Sequence, residues 1–172
     1  MKAEAWPAID AVIRQRFKEP SGTHILEEMA NYHFDTGGKR IRALIPAAVF
    51  SLCGMKGSSM PEFPAAIEIL HNATLIHDDL QDGDETRRGK PTIWKSYGPA
   101  QAINSGDAFF FLIMSMPKQL NWPPVLNSTF KISWIKLSVA RLHMTKIWGS
   151  HTLRKTSKFQ LPNERVLPRF GL

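Results

Sequence analysis

The stretch PAAIEILHNATLIHDDLQDGDETRRG, residues 64–89, decides the fold and points to the chemistry. From Pro64 to Asp82 it holds no glycine and no second proline, and Ala65, Ile67, Leu70, Leu75 and Ile76 spread apolar surface around much of a helical wheel. That spacing predicts a helix over about 64–82. His71, Asp78 and Asp82 are separated by seven and four residues, so an imidazole and two carboxylates share one stripe of it, with Asp79 flanking. Alone, His71 would read as an ordinary core or surface histidine and the aspartates as a solvated helix end. Acids at a helix C-terminus oppose its dipole, however, and need compensation. His77 reads as structural.

Five acids lie within residues 78–85, and Arg87 and Arg88 follow after Thr86. Without a cation those like charges would repel. Clustered carboxylate oxygens are what Mg2+ binds, usually together with substrate phosphates, and arginine forks match phosphate oxygens. The segment therefore reads as a place for Mg2+ and a phosphorylated substrate.

Outward from this helix the chain reads as further helices. Residues 5–17 carry a helical apolar stripe, and Pro20-Ser21-Gly22 ends it. Ser21 or Thr23 can cap a second helix through Leu26 and Met29. Thr36-Gly37-Gly38 reads as a turn, and 39–52 as a helix kinked at Pro46. Residues 54–59 read as a loop, Pro61 suits a first helical turn, and 89–92 read as a second loop. Pro99 opens a helix that is very apolar over 109–114. No strand alternation is seen, so the expected class is all-α, the helices of a large bundle.

At 172 residues and 43% hydrophobic content the chain can bury a core and is not disordered as a whole. The single cysteine, Cys53, excludes an internal disulfide and reads as a small core residue in an apolar run. The first residues lack a signal-peptide core, and the longest apolar run, 108–114, is too short to span a bilayer. The expectation is a soluble, cytoplasmic protein.

Gly37-Gly38-Lys39-Arg40-Ile41-Arg42 is a second candidate site. Two glycines and three cations at a helix start place N–H groups and positive charge together, an anion-binding arrangement. Basic clusters on both sides of one acidic cluster would suit two diphosphates, one held through metal and one by cations directly.

Gly37-Gly38-Lys39-Arg40-Ile41-Arg42, Glu68-Ile69-Leu70-His71, Leu75 to Asp82 and Arg87-Arg88-Gly89-Lys90-Pro91-Thr92 together resemble the trans-isoprenyl (polyprenyl) diphosphate synthases, in their order and spacing. The resemblance covers roughly residues 20–116. From Trp94 and Tyr97 to Asp107 it is most similar to bacterial geranylgeranyl-type synthases. It implies an isoprenoid-synthase-type helical bundle and a Mg2+-dependent prenyltransferase. Asp78, Asp79 and Asp82 match the family's first aspartate-rich motif, which holds Mg2+ on an allylic diphosphate, with Arg87 on the same group. Lys39, Arg42, His71 and Arg88 match the family's isopentenyl diphosphate site. Ala73 and Thr74, small residues before the motif, imply a product of geranylgeranyl length or longer. The family also implies a homodimer.

The family is longer than this chain and carries a second aspartate-rich motif. After Asp107 the only acid is Glu164, so that motif is absent. Residues 1–116 hold 12 Lys+Arg against 14 Asp+Glu, whereas 117–172 hold 10 against one. We therefore divide the chain into 1–116, the N-terminal part of a polyprenyl synthase domain, and 117–172, an unrelated, poorly ordered or non-native basic tail. Translation out of frame explains the loss of acids and the scattered Trp and Pro best. A divergent tail on an anionic surface and a basic amphipathic segment on a membrane are the competing readings. No nucleic-acid motif is present, so no nucleic-acid partner is expected and membrane contact is at most peripheral. The expected protein is a truncated geranylgeranyl-type synthase whose turnover alone is in question. The alternatives are a non-catalytic binding or regulatory subunit, or an inactive gene fragment.

Overall fold

The computed structural model describes residues 2–18, 24–54, 59–119 and 128. Among the described residues six helices and one short hairpin follow in order: α1 (Lys2–Lys18), α2 (His24–Asp35), α3 (Ile41–Leu52), α4 (Ser59–Asp82), β1 (Thr86–Arg87), β2 (Lys90–Pro91), α5 (Ile93–Tyr97) and α6 (Pro99–Gln119). The two strands pair antiparallel, Thr86 opposite Pro91 and Arg87 opposite Lys90.

Helix α4 is the axis of the bundle. Phe63, Ala65, Ala66, Ile69, Leu70, Ala73 and Ile76 are buried on more than one of its faces. It packs against α1, α3 and α6, which is why its sequence is apolar nearly all round rather than on one stripe. The neighbours show simple stripes. Ile9, Ile13 and Phe17 are buried four residues apart on α1, and Ala102, Ser105, Phe109, Ile113 and Met116 form the inward face of α6. Phe17 and Phe109 meet at a ring separation of 4.4 Å, and Phe109 stacks on Phe34 of α2 at 6.0 Å. These offset aromatic contacts join α1, α2 and α6 in one core. Where α4 crosses α6, His77 lies directly over Gly106, with its ring 5.5 Å from Phe110. Only a residue without a Cβ allows that approach.

Several expectations change. Helix α3 begins at Ile41, not Lys39, because Arg40 takes a left-handed conformation (φ 56°) and stays outside the helix. It continues through Pro46 as one helix. Cys53 is exposed rather than in the core. The helix ends at Leu52, and Cys53 stands beyond its last turn. The segment around 89–92 is partly strand, and α5 is a short helix of its own. Within 109–114, Phe109 and Ile113 are buried, whereas Phe111 and Met114 are exposed. On α3, Ile41, Ile45, Val49 and Leu52 form an exposed apolar stripe. Helix α6 runs on through Gln119, past the boundary set at residue 116; the caps expected at Ser21 or Thr23, and the tail from 120 onward apart from residue 128, lie outside the described residues. Among the described residues no helix is long and apolar enough to cross a membrane.

Candidate active site

The basic end of the site is shaped by a glycine turn. After α2, Thr36 and Gly37 donate their amides to the carbonyls of His33 and Phe34. Gly37 (φ 81°) and Gly38 (φ 134°) then reverse the chain in conformations open mainly to glycine. Arg40 turns inward. Its Nη1 donates to Glu68 Oε1 at 3.2 Å and its Nη2 to the Phe34 carbonyl. Its guanidinium lies 4.7 Å from the centre of the Trp6 ring. Lys39 and Arg42, on either side, remain exposed.

The cavity beside this turn has a volume of about 480 Å³ and is lined by Gly38, Lys39, Arg40, Ile41, Arg42, Glu68, His71 and Arg88. Lys39, Arg42, His71 and Arg88, expected from sequence to act together, thus come from the α2–α3 turn, α3, α4 and the hairpin to one space. Arg88 is held by its backbone (φ 54°) and by donation from Nη1 to the Gly37 carbonyl. A Cβ on Gly38 would stand 2.6 Å from that guanidinium, so the second glycine is needed for its approach. His71 is half-buried. Burial, with Arg42, Arg87, Arg88 and Arg40 nearby, pushes its pKa down to about 4. At neutral pH it is an uncharged imidazole able to donate one N–H among the cations.

The acidic end lies at the C-terminus of α4. Asp78 is half-buried, Asp82 is exposed and Asp79 is only 2% exposed. The chain turns back after Gly83: the Asp84 amide donates to the Asp79 carbonyl, and Thr92 Oγ1 and Trp94 Nε1 both donate to the Asp84 carbonyl. The hairpin so anchored returns Arg87 to α4, where its Nε donates to both Asp79 oxygens at 2.9 Å. Burial raises the Asp79 carboxyl pKa while Arg87 opposes that shift.

Asp79 and Arg87, expected to face metal and diphosphate, hold each other. Among the described residues no group of three or more His, Cys, Asp or Glu side chains is placed to hold a metal ion. Asp78 and Asp82 still share a helix face one turn apart. Mg2+ typically takes one or two carboxylates and completes its shell with water and phosphate, so this hard-oxygen pair fits the ion.

Glu68, Arg40 and Gly38 also line the cavity; the sequence reading placed Gly38 and Arg40 in the anion-binding segment 37–42 without a separate role, and gave Glu68 none. Glu68 carried a usable signal: it stands three residues before His71 and so shares its helix face. No sequence signal distinguishes Arg40 from the cations beside it.

The family model for polyprenyl synthetase matches residues 23–148, past residue 116 where the motifs were read to end. The chain is 36% identical to a geranylgeranyl diphosphate synthase of Mycobacterium tuberculosis over 118 residues, 62% of this chain and 32% of that protein. It is 40% identical to the chloroplastic geranylgeranyl pyrophosphate synthase of Capsicum annuum over 138 residues, 79% of this chain and 34% of that one. The chain thus spans about a third of the length of these curated relatives. Among solved structures it resembles a polyprenyl synthase from Caulobacter crescentus complexed with calcium and isoprenyl diphosphate (TM-score 0.72, 28% identity, 83% of this chain and 43% of that one). It also resembles a decaprenyl diphosphate synthase from Rhodobacter capsulatus (TM-score 0.73, 27% identity, 84% and 44%). With the family model matched over most of its length and an all-α bundle shared with the solved synthases, the chain belongs to the polyprenyl synthetase family.

Proposed function

We propose that this chain carries the substrate-binding part of a geranylgeranyl-type diphosphate synthase, a prenyltransferase that condenses isopentenyl diphosphate with an allylic diphosphate. One observation carries the reading: Lys39, Arg42, His71 and Arg88, from separate segments, line one cavity, and the preceding residue, Arg87, is hydrogen-bonded to Asp79 of α4.

Lys39, Arg42 and Arg88 hold the isopentenyl diphosphate by charge, and neutral His71 donates an N–H to it. The allylic diphosphate lies against Asp78 and Asp82, where Mg2+ would be held and would neutralise the phosphate oxygens of the leaving group. Arg87 exchanges its carboxylate partner for phosphate and stabilises the same charge. The allylic C–O bond breaks, the departing diphosphate takes the electron pair, and the isopentenyl double bond attacks the allylic carbon. Loss of a proton from the adjacent carbon to the released diphosphate restores the double bond. Fixing both substrates in neighbouring sites supplies most of the orientation this step needs.

Ala73 and Thr74 are buried on α4 just before the aspartates. Their small size supports a product of geranylgeranyl length or longer, as do the names of the two curated relatives. A homodimer belongs to the same proposal and is supported by the exposed Phe111 and Met114 of α6. Cytoplasmic placement rests on the low cysteine content.

The test is labelled isopentenyl diphosphate with an allylic diphosphate and Mg2+, incubated with the purified chain alone and with a full-length synthase. Prenyl product from the chain alone supports the synthase reading. Altered product only in the presence of the synthase would mark a binding or regulatory subunit. No effect in either arm overturns both.

A further inference from the structure

Arg40 and Glu68 meet inside the fold and take no part in the reaction as drawn. Arg40 is 7% exposed and Glu68 3%. Besides the 3.2 Å bond between them, Glu68 Oε1 accepts from Asn72 Nδ2 at 3.2 Å, and Asn72 Oδ1 meets His33 Nε2 at 3.0 Å. The second carboxylate oxygen, Oε2, is buried with no hydrogen-bond partner among the described residues. As a stabilising device this is poor. A buried ion pair is seldom better than apolar residues of the same volume, and an unpartnered buried oxygen is a further cost.

The backbone indicates a different role. Arg40 holds φ 56°, which a non-glycine residue adopts only when its surroundings impose it. Here the surroundings are the fork onto Glu68 and the Phe34 carbonyl, closed over by Trp6. Burying the middle cation in this conformation leaves its neighbours Lys39 and Arg42 at the cavity. Were Arg40 to leave, three flexible cations would share one solvated turn, and Ile41 would start α3 from a different direction.

We propose that Arg40 and Glu68 are a positioning pair: the bond between them fixes the left-handed turn at Arg40 and so presents Lys39 and Arg42 to the isopentenyl diphosphate. This rests on the reading of the cavity as that substrate's site. Both side chains also line the cavity, but they are buried and Arg40 is engaged by Glu68 and the Phe34 carbonyl, so charge at the diphosphate falls to Lys39, Arg42 and Arg88.

The test uses the full chain, calorimetric titration of isopentenyl diphosphate, and thermal unfolding of each variant. Arg40→Met with Glu68→Leu removes the pair and keeps its volume, leaving no lone buried charge. Its affinity should fall about tenfold while unfolding stays cooperative and near the wild-type midpoint. Affinity for an allylic diphosphate with Mg2+ should be unchanged. Arg40→Lys keeps the charge and the fold but cannot hold Glu68 and the Phe34 carbonyl together, and it should weaken isopentenyl diphosphate alone. Wild-type affinity in either folded variant overturns the proposal. Arg42→Ala separates the two claims. If Arg42→Ala loses affinity and the pair variants do not, the positioning role fails alone; if Arg42→Ala binds like wild type, the cavity reading fails and the proposal falls with it.

Discussion

Arg87 donates through Nε to both oxygens of Asp79 at 2.9 Å, and that carboxylate is 2% exposed. The hydrogen bonds to Asp79 in turn raise the Arg87 pKa. Each group thus holds the other in the position that the proposed reaction requires both to share with ligands. Arg87→Ala would leave a buried carboxylate without its cation, at a cost of about 3 kcal/mol. A metal ion then becomes the best available counter-charge. We expect Mg2+ to raise the unfolding temperature of Arg87→Ala more than that of the wild type. Equal increments in the two proteins would count against Asp79 as a group that metal can reach.

Acid should unfold the chain through His33. This imidazole is fully enclosed, and burial pushes its pKa down to about 3. In the unfolded chain it titrates near 6.5. Below that value the unfolded state takes up a proton that the folded state refuses, so stability falls with pH, by about 1.4 kcal/mol per unit. The loss continues toward the folded value of about 3. His71, pushed down to about 4, acts in the same direction. Urea midpoints measured from neutral to mildly acid pH should fall steadily in the wild type and less steeply in His33→Gln. Parallel profiles would exclude His33 as the cause.

Gly106 and His77 set the spacing of α4 and α6. A Cβ on Gly106 would come within 2.2 Å of His77 Nε2. Gly106→Ala should therefore destabilise by about 1–3 kcal/mol, the usual cost of overpacking. His77→Ala makes room, so the double variant should be more stable than the two single effects predict. Strict additivity would mean that the helices separate by some other route.

Gly38→Ala tests the anion cavity from its backbone. The added methyl both strains a residue at φ 134° and displaces the Arg88 guanidinium. Losing one charge-assisted hydrogen-bond donor typically costs about 1.5–3 kcal/mol, so inorganic diphosphate should bind about tenfold more weakly. An unchanged titration would show that Arg88 does not contribute to the cavity's affinity.

The long helices were legible because burial follows spacing: α1 and α6 each show one apolar face, and α4 is apolar all round because neighbours cover it on more than one side. Lys39, Arg42, His71 and Arg88 were legible as a set only through the resemblance of their motifs, in order and spacing, to the polyprenyl synthases. Other features depend on geometry that residue types do not encode. Arg40 is chemically like Lys39 and Arg42, and only the left-handed turn sends it inward to Glu68. The pairing of Arg87 with Asp79 needs the hairpin, whose two-residue strands are too short to show alternation. Cys53 looked internal because its neighbours are apolar, yet α3 stops one residue before it.

The central claim is that the cavity holding Lys39, Arg42, His71 and Arg88 receives the isopentenyl diphosphate. Calorimetric titration of that compound into the wild type and into Arg42→Ala tests it most directly. Arg42 is exposed, so the variant should keep its fold and unfolding temperature. The account predicts saturable binding to the wild type and a loss of about tenfold or more in Arg42→Ala. Equal affinity for the two proteins would contradict it.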